Sequence, residues 1–462
     1  MSLPYNPENK ESIIQYAKTL RGKTLRQICD VDLIKNNRKG KGHFGQILEE
    51  FFFQYKPNSG SDPDFPIAKL ELKSSPLKAL KPSKFQSKER LVLNIINYLE
   101  IVNQDFENST FWKKNAHILL VFYLRVQDTD ILDYLIKLVD DWSFPKADLE
   151  IIKQDWEFIK QKIANGKAHE LSEGDTFYLG ACTKGATSNT TRKQPFNEIP
   201  AKQRAFSLKQ GYVNHIIASI SNGNDGIYGK LIPDLAVLKA KSLEEIVLEK
   251  FAPYYDKTAD QIIDELGINL NKNAKHFLAN LTKSILGVAL NKEIEEFKKA
   301  DITLKTVRVN KKGSIKECIS FSSFKYTELV TEIWEDANFK NTIESKFLFA
   351  FFKIQDKNYV FQKVKFWNMP HDDVPEAKKV WEHTRNIVNS GTIVKKIMPD
   401  GTRATNFMGK TQNRVSHVRP HAQNSADTIL LPVADQLTKA TEYTKYCFWL
   451  NNTYIRDEIY LK

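Results

Sequence analysis

Residues 63–76 read PDFPIAKLELKSSP, and the fold turns on how this stretch is read. Apolar Leu70 and Leu72 alternate with Lys69, Glu71 and Lys73, which is the period of a strand with one buried face. Side chains two apart on a strand share a face, so Glu71 and Lys73 stand side by side while Leu72 points into the core. Asp64 arrives from the loop PNSGSDPDFP and is near enough along the chain to meet Glu71. The D-x6-E-x-K pattern alone is weak, because alternating charges also decorate solvated strand faces. Its chemistry is more specific. Phosphodiester hydrolysis needs an activated water and compensation of phosphate charge. Carboxylates such as Asp64 and Glu71 supply both by holding Mg²⁺, a hard cation that takes oxygen ligands, and Lys73 can orient water or offset charge.

Upstream, NNRKGKGHFGQILEEFFFQY places a basic glycine turn before a helix with apolar Phe44, Ile47, Leu48, Phe51 and Phe52. That helix carries Glu49, which is either a solvated glutamate or a carboxylate facing the ion. FFF at 51–53 reads as core. Downstream come a helix-like segment from Lys88 to Glu100 and an apolar strand, HILLVFYLR, from His117. Helix, loop, alternating strand and apolar strand together predict an α/β (α+β mixed) domain. The polar tract TKGATSNTTRKQPFNEIPAKQRAFSLKQ reads as a surface excursion, and SNGNDGIYG reads as a linker. The expected division is a first domain at 1–220, a linker at 221–234 and a second domain at 235–462.

The second half repeats the first in weakened form. GKTLRQI at 22–28 is answered by DKTADQI at 256–262, and HFGQILEEFF at 43–52 by HFLANLTKSI at 276–285. The stretch from Leu70 is answered by KTVRVNKKGSIKECISFSSFKY from Lys305, and FSLKQGYV at 206–213 by FWLNNTYI at 448–455. Matching order at nearly constant spacing predicts a duplicated domain. In this reading Thr306 and Arg308 stand for Glu71 and Lys73, and Thr282 for Glu49. The second copy therefore keeps a core and loses the carboxylates, so that one half cuts and the other binds.

Composition agrees with a polyanionic partner. Lys and Arg number 68 against 56 Asp and Glu, a formal charge of +12. The four cysteines form no Cys-x-x-Cys pair, which argues against structural zinc and for a reducing compartment. No apolar run approaches the length needed to cross a bilayer, so a soluble cytoplasmic protein with no membrane partner is expected. His43 and His276 precede apolar helical residues and are read as capping or packing groups.

Residues 40–73, with GKGHFGQILE followed by DFPIAKLELK, resemble the MutH-like family of GATC-specific endonucleases. The presence of a second domain resembles the larger two-domain type II restriction enzymes of that group. The resemblance implies a restriction-endonuclease-like fold, duplicated here as two MutH-like domains. It also implies a catalytic set of Glu49, Asp64, Glu71 and Lys73, with Mg²⁺ on Asp64 and Glu71. For DNA contacts it extends to Lys114, Lys184 and Tyr212, and the basic turn and polar tract themselves offer Lys39, Lys41, Arg192 and Arg204. Arg403, Arg419 and His421 belong to a comparable basic stretch in the second half. Lys184 and Tyr212 are expected to reach bases or the groove. The implied activity is cleavage of both strands of double-stranded DNA at 5′-GATC-3′, before the G and leaving 5′ overhangs, in a bacterial cytoplasm. The C-terminal domain would bind a second site as effector, and the enzyme would be a monomer that pairs on DNA. The alternative is a mismatch-repair-type nicking endonuclease acting at hemimethylated GATC.

Overall fold

The computed structural model describes residues 3–462 apart from 31, 33, 35–43, 58–59, 82–83, 186–189, 222–225, 233, 357, 398 and 400–402. Lys39, Lys41 and His43 thus lie outside the described residues, as does the side chain of Arg403. The chain divides into two compact units. The first comprises 1–171, 176–243 and 291–301, and the second 172–175, 244–290 and 302–462.

In the first unit, strand β1 (Glu71–Lys81) pairs antiparallel with β2 (Lys84–Ser87) and parallel with β4 (His117–Leu124). Strand β4 in turn pairs antiparallel with β5 (Leu135–Ser143). Ile118 to Phe122 are all buried, which is why this strand reads as a continuous apolar run. Phe44, Ile47, Leu48, Phe52, Phe53, Phe65, Leu70 and Leu72 share a core with Leu119 and Val121 of β4. Each such large side chain contributes roughly 2 kcal/mol by leaving water. A second sheet runs β3 (Leu91–Ile95), β9 (Arg204–Leu208), β6 (Leu179–Thr183), and the polar tract folds into a hairpin of β7 (Thr191–Gln194) and β8 (Asn197–Lys202).

Two local expectations are corrected. The helix-like segment from Lys88 to Glu100 is strand β3 followed by the short helix Tyr98–Ile101. Its β-branched and apolar residues pair with β9, a partner more than a hundred residues away that local periodicity does not reveal. The strand expected from the alternation at Lys69 begins only at Glu71. Phe65 and Leu70 exchange both backbone hydrogen bonds, at 3.0 and 3.2 Å, around a tight turn in which Lys69 takes φ of 51°.

The boundary also differs from the expected one. Residues 221–243 stay with the first unit, and 291–301 return to it. Two-residue strands β10 (Tyr228–Gly229) and β11 (Glu293–Ile294) pair in parallel. Glu296 accepts hydrogen bonds from the backbone N–H groups of Leu231 and Ile232. Lys299, itself buried, bonds both oxygens of buried Asp148 at 2.8 and 3.0 Å.

In the second unit, β12 (Thr303–Val309) runs parallel to β14 (Phe347–Gln355), which is antiparallel to β15 (Asn358–Trp367). This is the pairing pattern of β1, β4 and β5. A further sheet runs β13 (Ile319–Ser323), β21 (Tyr446–Leu450), β18 (Ser416–Pro420). Two small hairpins, β16 (Lys395–Ile397) with β17 (Arg403–Thr405) and β19 (Thr428–Leu430) with β20 (Glu442–Thr444), complete its strands among the described residues. Phe349, Phe351, Trp367, Trp381 and Phe448 lie in its core.

Strand β1 opens at Glu71 two residues after Lys69, whose φ is 51°, and β12 opens at Thr303 two residues after Asp301, whose φ is 53°. Counted from these turns, Thr303 and Lys305 stand where Glu71 and Lys73 stand, and Glu296 stands where Asp64 does. By this count the positions answering Glu71 and Lys73 lie three residues before the expected Thr306 and Arg308. His276 precedes the helix Phe277–Ile285 at its cap position, with no side-chain capping bond.

Candidate active site

The turn at Pro66–Lys69 is what brings Asp64 beside Glu71. The backbone N–H of Asp64 donates to Glu71 Oε2 at 3.1 Å, and the N–H of Leu72 donates to Asp64 Oδ2 at 2.9 Å. Each carboxylate is thus held by the other residue's stretch of backbone, and the x6 spacing is the length of this small loop. Leu72 points into the core, leaving Glu71 and Lys73 on the opposite face as strand parity requires.

Glu71 is 1% exposed. Lys73 Nζ lies 2.5 Å from its Oε1, and Lys114 Nζ lies 3.5 Å from its Oε2. Burial pushes the Glu71 carboxyl above the ordinary carboxylate range, and the charges of Lys73 and Lys114 pull in the opposite direction. Lys114 also donates to the carbonyls of Gly60 and Asp62 at 3.1 and 2.9 Å, which ties the loop before Asp64 to the site.

Glu49 reaches the same place from the other side. The helical turn Phe44–Ile47 packs close against β1, where a Cβ on Gly45 would lie 3.1 Å from Ser74 Oγ. The helix then widens into a π-turn at Leu48–Phe52, a distortion common at functional sites. Burial first, and the negative charge of Asp64 second, push the Glu49 carboxyl up to about 7. Glu49, Asp64, Glu71, Lys73 and Lys114 line one cavity of about 360 Å³.

No three Asp, Glu, His or Cys side chains form a ready-made metal cluster among the described residues. The reason is visible in the bonds above: Asp64 Oδ2 and both Glu71 oxygens are turned onto internal N–H groups and lysines. The donor set nevertheless suits a hard divalent cation, since it consists of carboxylate oxygens gathered at one cavity.

The other expected contacts sort into two groups. Lys184 and Arg192 are exposed on the polar tract, with Arg192 Nε donating to Gln203 Oε1 at 2.6 Å. In the second unit Arg419 and His421 are exposed. The Arg419 guanidinium stacks 4.1 Å from the Trp449 ring, and His421 lies beside the same ring. Trp449 was not singled out from sequence, where it sits inside an apolar strand pattern. Three expectations are corrected. Tyr212 is 0% exposed and its hydroxyl donates to Asp148 Oδ2 at 2.9 Å, so it has no surface to offer DNA. Arg204 is buried and donates to the carbonyl of Ala181. Lys114 belongs to the carboxylate cavity, because the helix Thr110–Asn115 turns it inward while Lys113 faces solvent. The four cysteines form no disulfide.

A carboxylate pair and lysine at the opening of a mixed sheet, faced by a helical glutamate, define a nuclease of restriction-endonuclease-like fold. Residues 53–155 match the family described as DNA mismatch repair enzyme MutH. The chain belongs to the family of the type II restriction enzyme Sau3AI of Staphylococcus aureus, with which it is 38% identical over 97% of its own length and 98% of that protein's. The DNA mismatch repair protein MutH of Shewanella woodyi is 26% identical over 47% of this chain and 95% of its own length. MutH of Buchnera aphidicola is 25% identical over 35% of this chain and 74% of its own. The protein is accordingly a site-specific deoxyribonuclease of the restriction type. No helix among the described residues is long and apolar enough to cross a membrane.

Proposed function

We propose that this enzyme hydrolyses both DNA strands at 5′-GATC-3′, before the G, using Mg²⁺ held by Asp64 and Glu71. The observation that carries the reading is the convergence of Glu49, Asp64, Glu71 and Lys73 on one cavity. When bound, the cation would offset charge on a phosphate oxygen and make a bound water more acidic. Lys73, on the same face as Glu71, is placed to orient water or to balance the phosphate. Lys114 balances the buried Glu71 and fixes the loop leading to Asp64. Glu49 supplies a third carboxylate whose charge is expensive to form without a cation nearby.

The second unit is proposed as a degenerate copy that binds a second GATC site as effector, with Arg419 and His421 among its DNA contacts. Support comes from the shared strand pairing, the matching turns at Lys69 and Asp301, and the loss of a carboxylate at Thr303. Full-length similarity to a restriction enzyme favours this over the nicking alternative, since MutH relatives match only about half of the chain. The test is incubation with Mg²⁺ and plasmids carrying no, one or two GATC sites. Double-strand cuts at GATC, faster with two sites, are expected. Nicking alone at hemimethylated sites would replace this reading with the alternative.

A further inference from the structure

Tyr55 was not picked out by any sequence pattern, yet it occupies a distinctive position. The π-turn after Glu49 ends with the N–H of Phe53 on the carbonyl of Leu48 at 2.9 Å and the N–H of Tyr55 on the carbonyl of Glu49 at 3.0 Å. This carries the Tyr55 ring back against Phe65, the residue next to Asp64, with centroids 5.2 Å apart in an edge-on arrangement. Its hydroxyl oxygen is out of contact with solvent and has no hydrogen-bond partner among the described residues. A buried phenol without a partner is costly, and such groups in folded proteins call for an explanation.

The surroundings supply one. A phenol keeps its proton over the ordinary pH range, so the buried Tyr55 hydroxyl is available as a donor. Asp64 uses Oδ2 to accept from Leu72, and its other oxygen has no donor among the described residues. Tyr55 packs on Phe65, the residue next to Asp64, and the terminal torsion of an aspartate is soft, so that the carboxylate can turn toward the phenol at little cost.

The geometry points to Tyr55 as a positioning residue whose hydroxyl donates to the Asp64 carboxylate when the divalent cation is bound, fixing which oxygen faces the ion. This rests on the metal-dependent reading above. Hydrogen bonds of this kind to metal-binding carboxylates orient the ligand, and losing them lowers metal affinity or activity about 10- to 100-fold.

The test is Tyr55→Phe in the full chain, which keeps the ring packing and removes only the oxygen. Calcium binding is measured by titration calorimetry, and cleavage of a GATC plasmid by steady-state kinetics over a range of Mg²⁺ concentrations. Expected are a roughly 10-fold weaker calcium affinity, a matching rise in the Mg²⁺ concentration for half-maximal rate, and a lower kcat at unchanged KM for DNA. Thermal stability should be unchanged or higher, since an unpaired buried hydroxyl is removed. Wild-type calcium affinity and kcat in the variant would overturn the role of Tyr55 while leaving the nuclease reading intact. A shift in thermal stability alone, with cation affinity unmoved, would overturn it equally. Failure of the unaltered protein to bind calcium or to cleave would overturn both.

Discussion

The stretches Asp64–Lys73 and Glu296–Lys305 each carry an acidic residue five positions before one of positive φ, the first ahead of a tight turn bridged by Phe65 and Leu70 and the second inside the helix Glu295–Lys299. In each, the positive-φ residue leads within two positions into a strand that is parallel to its neighbour. In the first, the acidic side chain turns toward a second carboxylate and two lysines at a cavity. In the second, Glu296 is buried on the backbone N–H groups of Leu231 and Ile232, and Thr303 replaces the partner carboxylate. A carboxylate ahead of such a residue thus lines a cavity or ties the chain according to what faces it.

The largest expected effect tests that contrast directly. Asp64→Ala or Glu71→Ala should lower the cleavage rate by about 1,000-fold or more, roughly 4 kcal/mol of barrier, with DNA binding in calcium retained. Glu296→Ala should leave the rate of the chemical step unchanged once folded protein is compared. Equal loss of cleavage in all three variants would break the comparison.

Next in size is Lys299→Met, which strands Asp148 as a buried charge beside the Tyr212 hydroxyl. Removing one member of such a pair costs about 3–5 kcal/mol, which chemical denaturation would read as a lower midpoint at unchanged slope. Gly211→Ala comes third. A Cβ there would lie 1.9 Å from the carbonyl oxygen of Lys298, so the segment must shift, at about 1–3 kcal/mol. A neutral outcome would mean that 298–301 does not pack on the start of the helix Gln210–Ile220.

The last effect concerns pH. The folded Glu49 carboxyl sits at about 7, above its ordinary value of 4.5, so between these values the folded state binds more protons than the unfolded one. Its contribution to the stability of the cation-free enzyme is present below the lower value and is lost as pH rises through about 7. Glu49→Gln should therefore gain on the parent protein between pH 5 and pH 8 in denaturant midpoints. Asp155, raised to about 6 by burial, is common to both proteins and cancels in the difference.

The convergence of Glu49, Asp64, Glu71 and Lys73 on one cavity was legible because their spacing is local. Strand parity joins Glu71 to Lys73, one turn joins Asp64 to both, and a helix start marks Glu49. What was not legible depends on distant partners. Tyr212 and Arg204 looked like surface residues in a polar tract, but their acceptors are Asp148 and Ala181, 64 and 23 residues away. Lys113 and Lys114 are adjacent in sequence, and only the phase of a six-residue helix separates the solvent-facing one from the buried one. The positive φ of Asp301, two residues before its strand, leaves no mark in composition, whereas repeated lysines do.

The return of residues 291–301 to the first unit sets an order of events during synthesis. Chains emerge from the ribosome N-terminus first, and early domains usually fold as they appear. Here the interior carboxylate of Asp148 waits for an ammonium that is translated about 150 residues later. The first unit therefore cannot complete its interior until most of the polypeptide has been made, and a chain stopped short of Lys299 would leave Asp148 without its cation.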